Sequence, residues 1–425
     1  MQEGEAPLLR FSKPALLLVL LFAAVFPPSL LHADDFQLLP SVAEKVEYID
    51  NIFLAPTGSS KVNDFISTTS AGLHLLDNTE QLNIDFTGRV DQLFYLDNPS
   101  LNSTDQFYNG SLAYAFSPNF TLAFKGVYNR ASSPDEFLYT SGLVLYALRT
   151  EVSSENITGN YALTDKTAAS LSYEHGEYWY KNYSADDATY DASSLSFLRD
   201  MTDVFDNLKG TLSLGYTRYN FTGLTVDNYE ARLGLQYAIK EKWSLIVNGG
   251  ARYTGSSFQV AALTGYFIGF NPASGLFYLI PTFASQSLTT TGTGPVGSAT
   301  LSYTGETTTA NLTFSRDVMP AYGSMGAVES TAVIGSVSRK FTYELSGSFW
   351  AGYYTNISKA QQYSLTAFDY TTWNAGPSIR YDFNKDMYLE GSYIFTKLDN
   401  NTSSGYTAYR DYFMLRFFLQ HAIMQ

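Results

Sequence analysis

The 425-residue chain contains no cysteine. That removes disulfides, thiolate zinc sites and cysteine nucleophiles together. Charge is also scarce, at 16% of residues against about 25% in ordinary soluble domains. Basic residues are the scarcer sign: the formal charge of -14 lacks the basic footprint that nucleic-acid binding requires. Histidine occurs only four times, and no His-x-x-x-His or His-Glu-x-x-His pair exists, so a metal site lacks its usual ligands. Neither a Gly-x-Ser-x-Gly elbow nor a phosphate-binding glycine loop is present. A mean hydropathy of -0.10 argues against a bundle of membrane helices. Beyond residue 33 the longest apolar stretch, 261–281, is broken by Thr264, Gly265, Gly269, Asn271, Pro272 and Gly275. No spanning helix is expected there.

Aromatic residues are abundant, with 33 Tyr and 30 Phe. The first 33 residues read as a secretory signal: Arg10 and Lys13, then an apolar run, a Pro27-Pro28 break, and Ala33 at the cleavage point. Residues 34–425 are then a single exported domain. All-β barrels of this length occur as one unit.

Period two dominates that domain. In 208–217 one face is Leu208, Gly210, Leu212, Leu214 and Tyr216, and the other is Lys209, Thr211, Ser213, Gly215 and Thr217. The same alternation runs through 229–239, 243–254 and 387–397. The arms are long enough for the ~9–11 residues of a tilted membrane strand. Their apolar faces begin or end in Tyr216, Tyr229, Tyr237, Trp243 or Tyr253, as aromatic girdles require. Small polar residues on the opposite face suit an aqueous lumen. The expected fold is all-β: a transmembrane antiparallel up-and-down β-barrel of 16–18 strands, wide enough for a channel.

A weak repeat marks one rim. Tyr114-Ala115-Phe116, Tyr161-Ala162-Leu163, Tyr237-Ala238-Ile239 and Tyr381-Asp382-Phe383 each close a strand before a three-residue turn. Such brevity predicts the periplasmic side, with longer connections at 130–152 and 174–206 on the outside. Seventeen arms are countable, with one or two more strands in 258–285. The last arm, 411–420, alternates Phe413, Leu415, Phe417 and Leu419 with polar residues. It resembles the signal read by the outer-membrane assembly machinery, except that the chain continues through His421 to Gln425.

Near the start of the domain, Asp50-Asn51-Ile52-Phe53, Asp64-Phe65-Ile66 and Ala71-Gly72-Leu73-His74-Leu75 are similar to β-barrel porins of Gram-negative bacteria, often encoded beside exopolysaccharide loci. The similarity covers residues 42–95. It implies an outer-membrane barrel in contact with lipid and lipopolysaccharide, with periplasmic secretion partners if it serves polysaccharide export. It carries over no catalytic residues.

Alternation assigns a lumen lining of Arg89, Lys125, Lys209, Arg232, Arg252, Arg380 and Arg416, against Asp85, Asp91, Glu174, Glu230, Glu344, Asp382 and Glu390. Seven charges of each sign predict weak ion selectivity, either as a constriction with a transverse field or as structural pairing of neighbours. Negative charge collects instead in 174–206, where Asp186, Asp187 and Asp191 would form an external acidic loop with Trp179 and several tyrosines. That loop would bind cations or sugars, or simply be solvated. Four functions remain open: a passive diffusion channel; a component of polysaccharide secretion; a barrel plugged by residues 261–297; and a rim enzyme resting on His175 beside Glu174 and Glu177. No cofactor, metal or nucleic-acid partner is expected.

Overall fold

The computed structural model describes residues 36–132, 135–143, 149–181, 187–272, 274–321, 326–359, 362–364, 367–402 and 405–423. The expected signal segment lies outside the described residues. Eighteen strands follow one another: β1 (Gln37–Ile49), β2 (Asp64–Asn78), β3 (Leu82–Tyr95), β4 (Ser103–Ser117), β5 (Phe120–Ala131), β6 (Arg149–Thr164), β7 (Thr167–Lys181), β8 (Ala188–Asp200) and β9 (Leu208–Phe221) make the first half. The second half is β10 (Leu224–Lys240), β11 (Trp243–Asn271), β12 (Leu276–Thr304), β13 (Thr308–Pro320), β14 (Ala327–Lys340), β15 (Leu345–Ser358), β16 (Phe368–Asn384), β17 (Met387–Asn400) and β18 (Tyr406–Gln420). Among the described residues a 3-10 turn at Pro99–Leu101 and one short α-helix, α1 (Asp135–Thr140), interrupt the series.

Each strand pairs antiparallel with its sequence neighbours, and β1 pairs with β18 from Ser41↔Gln420 to Ile49↔Tyr412. The sheet is therefore a closed up-and-down barrel with no free lateral edge along its wall. The tail lengthens this seam: the His421 and Ile423 amides donate to the Pro40 and Leu38 carbonyls at 3.1 and 2.9 Å. No described helix is long and apolar enough to cross a membrane, which says nothing against crossing by strands.

The four repeated turns all fall on one rim, joining β4 to β5, β6 to β7, β10 to β11 and β16 to β17. Each is preceded by the same irregularity, because the register skips one residue between Ala115 and Ser117, Ala162 and Thr164, Ala238 and Lys240, and Asp382 and Asn384. The skipped residues, Phe116, Leu163, Ile239 and Phe383, are all exposed. The repeat is thus a β-bulge that tightens the turn and leaves an apolar side chain at the wall's lower border. The opposite rim carries the long connections 50–63, 132–148 and 359–367.

Two aromatic belts edge the outer wall. Near the long-loop rim, Tyr216–Tyr229, Tyr48–Phe65, Tyr393–Phe413 and Tyr353–Trp373 have ring centroids 4.9, 4.8, 4.7 and 4.4 Å apart. Near the short-turn rim stand Trp243–Tyr303, Phe116–Phe120 and Tyr381–Phe383 at 4.9, 5.7 and 5.2 Å. On β10 the belts are marked by Tyr229 and Tyr237. At a ~3.3 Å rise and a ~40° tilt their separation is roughly 20 Å along the axis, close to the ~25 Å apolar band of membrane barrels.

Two expectations are corrected. Residues 174–206 are not an external loop, because β7 continues to Lys181 and β8 occupies Ala188–Asp200. Strand β8 escapes the alternation because its outer face mixes Thr189, Asp191 and Arg199 with Leu195 and Phe197. Nor are there separate strands in 258–285. Strands β11 and β12 are 29 residues each and pair with one another almost to their shared tip.

Candidate functional site: the lumen and the loop across it

The connection from β5 to β6 leaves the rim and crosses the barrel. Its described residues, 135–143, bond to β15 and β16 across the ring and to Arg410 of β18, five strands from β5. Four wall side chains bond to its backbone carbonyls. Tyr354 Oη donates to Tyr139 O at 2.6 Å, Asn356 Nδ2 to Ser141 O at 2.9 Å, and Asn374 Nδ2 to Leu138 O at 2.9 Å. Thr372 Oγ1 donates to Gly142 O. Arg410 adds a bond to the Tyr139 hydroxyl at 2.6 Å, and the Tyr139 ring meets Trp350 edge-on at 5.8 Å. These donors partner carbonyls at the C-terminal end of the short helix α1, where Leu138 O also accepts the Gly142 amide at 3.2 Å.

The seat is apolar as well as polar. Leu138 and Leu143 are fully buried with Leu54 of the first loop, Phe368, Tyr370, Leu398 and Ala408. Gly142 is required here, with φ +66° and a Cβ position 2.4–2.7 Å from Tyr354 atoms. A second inward element is the 359–367 loop, whose Tyr363 packs with Phe221, Val226, Phe258 and Val318. The described residues of both loops thus stand inside the ring near the long-loop rim. Residues 261–297, the expected plug, belong instead to β11 and β12, and most of their side chains are exposed.

The loop contacts identify the inner face of each strand, and ladder partners share that face. The inner face so defined receives thirteen of the fourteen expected lumen charges, Asp85 lying opposite Ser111 and Glu174 opposite Asn156. Arg380, Glu390 and Arg416 are direct partners across β16, β17 and β18, and the row continues to Lys45 on β1. Arg380 also pairs with Asp382 at 2.6 Å and lies 3.6 Å over the Tyr388 ring, which Arg416 approaches at 5.9 Å. Arg89 pairs with Asp91 at 3.0 Å and covers Phe107 at 4.5 Å. Arg232 bridges Glu230 and Asp317 at 2.6 and 2.5 Å. Lys125 faces the lumen opposite Ser111 and Asn156, and Lys209 opposite Asp200 and Gln236 near the short-turn rim.

Arg252 is the most deeply placed of the set. It bonds Thr254 Oγ1 and the Tyr363 hydroxyl, each at 2.9 Å, and pairs with Glu329. Its guanidinium passes over Gly294, where a Cβ would lie 2.9 Å from it. Arg316 reaches Glu329 from β13. Opposite charges at close range resolve here as pairs, and this pairing holds β11 to β14 where β12 departs from β13.

Glu344 is the exception. It stands exposed in the short turn between β14 and β15, bonded to Thr342 at 3.1 Å. Alternation counted it into β15, but the strand begins only at Leu345. The acidic triplet also separates. Asp186 lies outside the described residues. Asp187 accepts the Tyr180 amide at 3.0 Å beside the start of β8. Asp191 lies within β8 on the outer face, accepting from the Tyr173 hydroxyl at 2.7 Å. His175 shares that outer face, bound to Asp191 at 2.9 Å and Glu177 at 3.2 Å. It is therefore on the outer wall, away from the lumen.

Sequence reasoning passed over Lys45, Glu47 and Arg410, although alternation marks all three. Glu47 accepts from the Tyr412 hydroxyl and pairs with Lys45 at 2.9 Å. Alternation likewise places Glu44 outside. There Ser67 Oγ and Thr69 Oγ1 donate to it at 2.6 and 2.7 Å, among Val42 and Val46. Nothing local marked Tyr354, Asn356, Thr372 and Asn374 as a seat, since their partners lie more than two hundred residues away in sequence.

No protein-family model matches the chain, and no curated protein matches it in sequence. Among solved structures it is similar to Pseudomonas aeruginosa OpdO, at 11% identity, 92% of this chain, 98% of that one and a TM-score of 0.44. It is similar also to Pseudomonas aeruginosa OpdK crystallised with vanillate, at 9% identity, 91% and 98% coverage and a TM-score of 0.45. A third is the Escherichia coli ferric-catecholate import receptor Fiu, at 9% identity, 91% and 82% coverage and a TM-score of 0.46.

Proposed function

We propose that this chain is an outer-membrane channel for passive diffusion of small polar solutes. The observation that carries the reading is the contrast between the two faces of one closed wall. The outer face is apolar between two aromatic belts, and the inner face carries paired charges over a width that 18 strands leave open. Loops drawn inside from the outer rim would then set the size of what passes. Mixed lumen charge favours weak ion selectivity, and no catalytic role is assigned to any residue.

The test is single-channel conductance of the refolded mature chain in a planar bilayer. Steady, weakly selective steps support an open diffusion pore. Absence of conductance from a folded, membrane-inserted barrel would overturn it.

A further inference from the structure

Strands β11 and β12 outrun their neighbours. Beyond Phe258, β11 has no partner in β10, and before Gly297, β12 has none in β13. Residues 259–271 and 276–287 therefore form a two-stranded ribbon whose edges pair with no third strand above its base, where the Gln259 amide donates to the Gly223 carbonyl at 2.8 Å. At ~3.4 Å per residue its 13-residue outer arm stands roughly 44 Å beyond the wall.

The ribbon's chemistry differs from that of the rest of the chain. Residues 253–305 contain no Asp, Glu, Lys, Arg or His, in a protein of net charge -14. Eleven large apolar side chains between residues 263 and 283 are more than a third exposed, with Leu276 at 67% and Phe277 at 73%. They occupy both faces, since the consecutive residues Tyr266, Phe267 and Ile268 are all exposed. A soluble ribbon would not present this surface. Lipid cannot receive it either, because its open edges would leave backbone groups unsatisfied in hydrocarbon.

We propose that the ribbon is a self-association element, docking against the same ribbon of a second copy of this chain. Two copies inserted in one membrane present their ribbons on the same side and at the same height. A two-fold axis along the membrane normal therefore matches the surface with itself. Eleven such side chains, at least half exposed on average, leave on the order of 1,000 Å² of apolar surface over the two faces, so one face brings roughly 500 Å² per partner, about the ~1,000 Å² in total that a specific interface needs. Charge selects this place for the contact. Two barrels of net -14 repel wherever they approach closely. An uncharged ribbon tip meets its twin several Debye lengths from the charged wall, at ~8–10 Å each. The open edges supply backbone donors and acceptors for pairing across the axis.

The absence of native cysteine makes the test direct. A Ser274→Cys chain in native outer-membrane vesicles is treated with a short thiol-to-thiol cross-linker and run on a denaturing gel. A band at twice the monomer mass is expected. It should be lost when Phe267→Lys and Leu279→Lys are added. A chain lacking residues 261–283 should run as a monomer in light scattering, while the wild type does not. Heat-modifiable migration confirms that each barrel is folded, and none of these changes touches a strand pair outside the ribbon. Only monomer in the wild type, or a product joining the ribbon to a different protein, would overturn the proposal. So would a dimer that survives both lysines and the deletion.

Discussion

If the β5–β6 loop narrows the lumen, loosening its seat must change conduction, and Gly142 is the place to loosen it. Gly142→Ala adds a Cβ at φ +66°, within 2.4–2.7 Å of Tyr354 atoms. The left-handed backbone costs about 1–2 kcal/mol and the overlap about 1–3 kcal/mol more, so the seat weakens by roughly 2–5 kcal/mol. The four wall-to-carbonyl bonds together contribute about 2–6 kcal/mol, so the perturbation is comparable with the polar part of what it opposes. A loss of ~3 kcal/mol multiplies the unseated population by about 10². The assay is single-channel recording in planar bilayers, with heat-modifiable migration to confirm that the barrel is intact. Larger mean conductance with added flicker is the expected result. Gly58→Ala is the control: it carries the same backbone strain at φ +90° but meets nothing within 4 Å, and should conduct like the wild type. Unchanged conductance and noise in a folded Gly142→Ala barrel would refute the idea that this loop limits the pore.

Three further expectations follow from named contacts. Arg252→Met leaves Glu329 with Arg316 alone and strips Tyr363 of its partner. Stability should fall by about 3 kcal/mol, read as an earlier unfolding midpoint in denaturant, and an unchanged midpoint would contradict the assigned pairing. Glu44→Leu replaces a carboxylate on the lipid-facing wall with an apolar side chain, and should raise stability by on the order of 1 kcal/mol. A drop in the unfolding midpoint would mean that the face is covered by something other than lipid. Replacing Arg380 and Arg416 by glutamine leaves Glu390 and Asp382 without the positive partners of their row. The reversal potential in a salt gradient should move toward cation preference, and movement the other way would place this row outside the ion path.

Much of the wall was legible because alternation is a local property. Side chains point to opposite sides every second residue, so thirteen of the fourteen lumen charges could be placed without knowing the ring. Glu344 was misplaced because the turn Phe341-Thr342-Tyr343-Glu344 itself alternates aromatic with polar residues, extending the period back before the strand's true start at Leu345. Strand β8 was missed for the opposite reason, since Asp191 and Arg199 on its outer face break the apolar period. In the ribbon the period fails again, because both faces are apolar.

The sequence by itself determined that this chain is a β-barrel of long, two-faced strands with tight turns on one rim. Strand period, strand length and turn chemistry are all set by residues within a dozen positions of one another. Only the tertiary structure decided what stands inside the ring and what stands outside it. Closure between β1 and β18 first created an inside for the β5–β6 loop to enter. The far wall, more than two hundred residues away, then supplied the hydrogen bonds and apolar contacts that hold Leu138 and Gly142. The ribbon was decided in the same way: β11 and β12 pair with each other past Phe258, where β10 and β13 have already ended. Such partners are fixed by the geometry of the ring, which no local spacing encodes.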